Sequence, residues 1–279
     1  MDLSVTISGT VSKTAPFLLQ GDYAAQVEIA AALGYRWVEL HIRDPKAIER
    51  ASLLAALAAT GLKVSSLGTG QAYSTDGLCF AAPDAAVRRA AVERIKAQLD
   101  LAAELNALVI IGMIRGPLPA DPAQAPAAEA RILEALRQCA EHAESLGGCL
   151  VLEAINRYES NFLNTAAQTA EFIKRAGSPA LGLHLDTYHM NIEERRPAAA
   201  IREFGSCLRH IHLADNTRWA PGMGYLDFAE LLGALRETGY SGALAVECLP
   251  LPTGLEAARQ ALEHIRPLLD GMKRQPGNK

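Results

Sequence analysis

The chain has 279 residues, of which 49% are hydrophobic and 21% charged, enough for a large buried core and unlike a disordered or low-complexity polypeptide. Its 27 Lys and Arg against 31 Asp and Glu leave a net charge of -4, which argues against general nucleic-acid or anionic-membrane binding. Five cysteines with no Cys-x-x-Cys spacing argue against a disulfide framework or a structural zinc knuckle.

The first element, Leu3–Ser8, is a short apolar run with no cationic leader before it, and no stretch approaches the roughly 18 apolar residues of a bilayer span. A cytoplasmic protein is expected. Further short strands follow at Trp37–His41, Lys63–Leu67, Ala107–Ile111, Cys149–Glu153, Leu181–Asp186, Leu208–Leu213 and Ala243–Glu247. Between them lie Ala- and Leu-rich segments with helical spacing, among them Tyr23–Leu33, Ala85–Glu104, Ala127–Ser145, Thr165–Ala176 and Phe228–Thr238. Gly34, Gly61, Gly147, Gly177 and Gly239 stand at or near the ends of helical patterns, and Asn164-Thr165 and Asp227 stand where N-caps are expected. Eight strand–helix units without a change of composition predict one closed (β/α)₈ TIM barrel over residues 1–279, a single domain. An open dinucleotide-binding sheet is a poorer fit, because Ser8-Gly9-Thr10 and Gly68-Thr69-Gly70 both lack the three-glycine fingerprint. Gly116 to Pro126 reads as a loop rather than a domain linker.

In a barrel of this kind chemistry sits where the strands end. Four successive strands reach Glu153, Asp186, His212 and Glu247, spaced by 33, 26 and 35 residues, each close to one βα unit. Three carboxylates and an imidazole on one rim repel unless something positive lies between them. Hard oxygen ligands with one nitrogen suit Mn²⁺, Mg²⁺ or Co²⁺, and zinc less exclusively. His184 and His210 lie two residues before Asp186 and His212, so strand alternation puts them on the same inward face one layer deeper. They read as hydrogen-bonded core histidines, with ligation of a second metal as the alternative. A second ring of polar residues follows the same strand ends: Glu159, His189 and Arg218, then Arg43, Arg115 and Arg157. Four arginines around one mouth point to an anionic or heavily hydroxylated substrate.

Several segments together carry a family resemblance. They are Gly68-Thr69-Gly70-Gln71-Ala72-Tyr73, Ile110-Ile111-Gly112-Met113-Ile114-Arg115-Gly116, Asn156-Arg157-Tyr158-Glu159, Asp186-Thr187-Tyr188-His189-Met190-Asn191, Asn216-Thr217-Arg218-Trp219-Ala220-Pro221-Gly222 and Val246-Glu247-Cys248-Leu249-Pro250. The chain resembles the xylose-isomerase-like sugar isomerase/epimerase barrels, and within them the metal-dependent ketose 3-epimerases. The resemblance spans essentially the whole chain. It implies one divalent metal ion, Mn²⁺ first, held by Glu153, Asp186, His212 and Glu247. It implies substrate contacts from Glu159, His189 and Arg218, and an acid/base pair made of Glu153 and Glu247. The implied reaction is epimerisation beside a ketose carbonyl through a cis-enediolate.

The nearest likeness is to epimerases that interconvert 5-keto-L-gluconate and D-tagaturonate, and the arginine ring agrees with a keto-acid. Arg115 and Arg43 are the expected carboxylate partners, ahead of Arg218. The alternatives are a free-ketose 3-epimerase acting on D-tagatose, D-fructose or L-ribulose, and an aldose–ketose isomerase such as one for hydroxypyruvate. More remote are an apurinic endonuclease, which needs extra histidines and a basic groove, and a non-catalytic sugar-binding barrel. Two departures from the family pattern are visible: Tyr225 where His is frequent, and Asn216-Thr217-Arg218 where Ser-Asn-Arg is frequent. A small sugar or sugar acid is the expected partner, with a dimer or tetramer as the expected assembly.

Overall fold

A computed structural model describes residues 1–12 and 14–274. Among these residues, nine strands run in chain order as β1 (Asp2–Ser8), β2 (Leu19–Gln20), β3 (Trp37–His41), β4 (Lys63–Gly68), β5 (Leu108–Ile111), β6 (Leu150–Glu153), β7 (Leu181–Asp186), β8 (Leu208–Leu213) and β9 (Ala243–Val246). Every pairing is parallel, and β1 pairs with both β3 and β9, so eight strands close into a barrel. The two-residue β2, absent from the sequence reading, pairs with Ile7 and Ser8 of β1, beyond the stretch Asp2–Val5 that pairs with β9. It is too short to show a period.

The strands alternate as a barrel requires, but the inner face is polar. Ser4, Thr6 and Ser8 on β1, Glu39 and His41 on β3, His184 and Asp186 on β7, and His210 and His212 on β8 are all buried. The residues between them, such as Val5, Ile7, Leu40, Leu183, Leu185, Ile211 and Leu213, join the apolar layer beneath the helices. The helices form for local reasons. Asp22 accepts from the Ala25 amide to start Tyr23–Leu33, and Gly34 ends that helix at φ 93°. Thr165 and Gln168 make a reciprocal capping box at the start of Ala166–Ala176. No helix among the described residues is long and apolar enough to cross a membrane.

Candidate active site

Register carries the ligand-type residues to one level. Glu153 pairs with His184 across β6 and β7, and Asp186 pairs with His212 across β7 and β8. Glu247 follows directly after β9, which ends at Val246, one residue short of the sequence-predicted strand Ala243–Glu247. These four side chains therefore come from an arc of adjacent strands, with Glu153 and Glu247 at its two ends.

Asp186 is the N-cap of the short helix Thr187–Glu193, where one carboxylate oxygen accepts from the Tyr188 amide at 2.8 Å. Its other oxygen, Oδ2, is buried and has no hydrogen-bond partner, and neither has His212 Nδ1. The two atoms face each other at 3.9 Å, and Glu247 Oε2 lies 3.4 Å from His212 Nδ1. Glu153, Asp186 and His212 offer ligand atoms within 4.8 Å of one another. Buried polar atoms left without partners are costly. Here they converge on one point with hard-oxygen and imidazole character, which is the donor set of a divalent cation site.

Proton affinities diverge across the arc. Burial raises Glu153 to about 8, with the nearby Glu247 and Asp186 carboxylates adding to the effect against His212. Burial likewise raises Asp186 to about 6, against the pull of Arg218. Burial also works on Glu247, but His212 and Arg218 outweigh it and hold that carboxyl well below the usual range. His212 is pushed the other way: burial disfavours its charge, yet the Glu39 and Glu247 carboxylates raise it well above an ordinary histidine.

A second set of groups faces the same space. Asn156 donates to His189 Nδ1 at 2.7 Å, and its amide orientation is fixed because its oxygen accepts from the Tyr158 backbone. His189 therefore carries its proton on Nε2, the nitrogen 3.7 Å from Glu153 and 3.9 Å from Asp186. Arg218 donates to Glu247 at 2.8 Å and lies 3.3 Å from Glu159, with its guanidinium over the Tyr188 ring. Its backbone has φ 61°, uncommon for a side-chain-bearing residue. That conformation is held from both sides, by its own amide on the Asp215 carbonyl and by the Leu249 amide on its carbonyl.

The other three arginines differ from the expectation of an uncompensated ring. Arg43 is 55% exposed and pairs with Asp76, which Arg94 also holds. Arg157 is 60% exposed and takes both oxygens of Glu193. Arg115 is only 1% exposed: the turn Met113–Arg115 folds it inward, where it donates to the carbonyls of Gly112 and Phe162. Burial lowers Arg115 to about 10, which still leaves it cationic at neutral pH. Of these four arginines the rim presents Arg218 to the site, and the uncompensated ring that favoured a keto-acid over a heavily hydroxylated neutral sugar is not present.

Glu39 is the site-facing residue that reading strand ends missed. It is fully buried beneath His212 and contacts His41 and His210 as well. The available signal was the spacing Glu39-x-His41, the same two-residue step seen at His184-x-Asp186 and His210-x-His212. Asn156 was missed too, because its role depends on a neighbour 33 residues away. His184 has both ring nitrogens buried without partners, and burial, followed by the neighbouring His212 and His210, lowers it well below an ordinary histidine.

The sequence profile of the xylose isomerase-like TIM barrels matches residues 27–268. The chain belongs to that family. Among curated relatives, a ketose 3-epimerase of Arthrobacter globiformis is 36% identical over 217 residues, covering 77% of this chain and 73% of the relative. A D-psicose 3-epimerase of Agrobacterium fabrum is 32% identical over 231 residues, covering 81% and 78%. Among solved structures, the D-allulose 3-epimerase from Methylomonas sp. in complex with D-allulose superposes with a TM-score of 0.79 at 26% identity, over 96% of this chain and 98% of that one. These three relatives are named for ketoses, and none of the three names is that of a keto-uronate.

The packing around Glu153 offers a sharp test of the site. A Cβ at Gly112 would lie 2.7 Å from Glu153 Oε2, with its other neighbours at 3.9 Å. Gly112→Ala therefore displaces a flexible carboxylate end and little else. The expected result is an unchanged fold and a kcat lowered by about a hundredfold, the cost of a roughly 1 Å misplacement. Thermal melts and steady-state kinetics on one preparation check both halves.

Proposed function

We propose that this protein is a divalent-metal-dependent ketose 3-epimerase acting on free ketoses, D-psicose and D-fructose foremost. The observation that carries the reading is the arc of Glu153, Asp186, His212 and Glu247, in which the unpartnered Asp186 Oδ2 and His212 Nδ1 lie beside the two glutamate carboxylates, within a xylose isomerase-like fold whose relatives include ketose 3-epimerases. These four residues would hold the cation, Mn²⁺ first. When bound, the cation supplies positive charge to a substrate carbonyl oxygen and the adjacent hydroxyl.

Epimerisation removes the proton from the carbon beside the carbonyl and returns it to the opposite face. Glu153 and Glu247 stand at the two ends of the arc, with Asp186 and His212 between them. One carboxylate takes the proton, leaving a cis-enediolate, and the other, in its acid form, delivers a proton to the far face. Two carboxyl groups with opposed proton affinities are the arrangement such an exchange needs. His189 Nε2–H and Arg218 donate to the sugar oxygens around the reacting carbon, and Glu159 accepts from a hydroxyl. This set has hydrogen-bonding capacity for a polyol chain, and its one cation, Arg218, is already paired with Glu159 and Glu247.

Incubation of the metal-loaded enzyme with D-fructose in heavy water should give D-psicose carrying deuterium at C3. Treatment with a chelator should abolish turnover and lower the melting temperature, and added Mn²⁺ should restore both. Product without deuterium at C3, or full activity in verified metal-free protein, would rule the reading out.

A further inference from the structure

Glu39 stands in the middle of β3, across the barrel interior from His212 on β8. Its two oxygens collect four side chains. Oε1 meets His41 Nε2 at 2.7 Å and His212 Nε2 at 2.9 Å. Oε2 meets His210 Nε2 at 2.7 Å and accepts from Ser66 Oγ at 2.5 Å. A carboxylate crowded by donors on both oxygens has no proton of its own, so each imidazole nitrogen that faces it carries one. With Nε2 protonated, neutral His212 keeps its lone pair on Nδ1. That is the partnerless nitrogen facing Asp186 and Glu247.

We infer that Glu39 is a positioning residue for the metal centre: it locks His212 in the Nε2–H form, so that Nδ1 and not Nε2 is the ligand atom. The inference rests on the metal-site reading above. The lock is also directional. Ser66 and His210 hold Oε2, so the carboxylate is fixed before it meets His212, and His212 cannot turn its ring without breaking the bond to Glu39. The same bonds occupy the facing nitrogens of His41 and His210. Glu39, His41 and Glu247 bring ligand-type atoms within 4.8 Å of one another, as do His184, His210 and His212. In each group Glu39 holds Nε2 of a histidine (His41 in the first, His210 and His212 in the second), whereas His212 Nδ1 and Asp186 Oδ2 in the arc have no partner.

The test is calorimetric titration of metal-free protein with MnCl₂, comparing wild type, Glu39→Gln and Ser66→Ala. In Glu39→Gln one acceptor oxygen becomes an NH₂ donor, so the amide cannot accept from the imidazoles on both of its sides and the lock on His212 is weakened. Its Kd should rise by about 10- to 100-fold, as for other outer partners of metal-bound histidines. Ser66→Ala removes one of the groups that hold Oε2 but leaves the Glu39–His212 contact in place, so its Kd should rise by less than that of Glu39→Gln. A purely structural Glu39 would lower the melting temperature and leave Kd unchanged, and Glu39→Gln binding Mn²⁺ like wild type overturns the inference. If Glu39→Gln does not fold, the wild type decides. In ¹⁵N-histidine-labelled, Zn²⁺-loaded protein, His212 should show a proton on Nε2 and metal at Nδ1, and metal at Nε2 overturns the inference. Tight Mn²⁺ binding without turnover of any ketose would defeat the epimerase reading and leave this one standing. No Mn²⁺ binding by wild type would defeat both.

Discussion

Glu153→Gln and Glu247→Gln are each expected to lower kcat by about 10³- to 10⁴-fold, the upper range for a positioned acid or base. The substitution keeps the size and the oxygen of each side chain and removes its ability to exchange a proton. Both residues are buried at the metal-facing end of the barrel, so a bulkier change would confound chemistry with packing. Loss of metal is the competing cause, and metal content of each variant separates the two. The arc predicts an asymmetry. Asp186→Asn removes a ligand that has no proton to exchange, so excess Mn²⁺ should recover a substantial part of its activity. Excess Mn²⁺ should not recover the Gln variants. The two Gln variants should also differ from each other in heavy water. With one exchanging group intact, a single epimer can still lose its proton on the side that group faces. Glu153→Gln should therefore retain slow deuterium wash-in from one epimer, and Glu247→Gln from the other. Near-wild-type turnover by either variant with metal bound would show that the two-carboxylate assignment is wrong.

Much of this site was legible because a closed parallel barrel imposes a simple rule. Each strand contributes its last inward residue to one rim, so ligand-type residues about one βα unit apart must meet. Glu153, Asp186 and His212 obey it directly, and Glu247 needs only one residue beyond β9. Helix ends were legible for an equally local reason: Thr165 and Asp227 cap the turns that follow them. What was not legible depended on partners far away in the chain. Arg43 and Arg157 look like free cations until Asp76 and Glu193 fold against them, 33 and 36 residues later. Arg115 follows a strand at the catalytic face, and only the tight turn after Gly112 shows that it points inward. Glu39 was hidden by its position in mid-strand, where an acidic residue between Val38 and Leu40 reads as an interruption rather than as the partner of three histidines.

Free ketoses are expected to surpass keto-uronates as substrates by at least about tenfold in kcat/KM, or about 1.4 kcal/mol. The cause is electrostatic. A substrate carboxylate needs an accessible unpaired cation: Asp76 holds Arg43, Glu193 holds Arg157, Glu159 and Glu247 hold Arg218, and Arg115, which has no acidic partner, is buried and turned onto the Gly112 and Phe162 carbonyls. An incoming carboxylate would have to displace one of these or sit close to Glu159. Two like charges at 4–6 Å cost roughly 3–4 kcal/mol at an effective dielectric near 20, before screening by salt. A fraction of that cost is sufficient for a tenfold preference. A neutral hexulose avoids it and uses the same donors and acceptors through its hydroxyls. The measurement is a matched panel of D-psicose, D-fructose and D-tagatose against D-tagaturonate and 5-keto-L-gluconate, at one metal loading and at low and high salt. Because the penalty is a charge repulsion, added salt should narrow the gap by improving the uronates alone. Equal or better turnover of D-tagaturonate at low salt would mean that one of the paired arginines changes partner on binding, and the keto-acid reading would return.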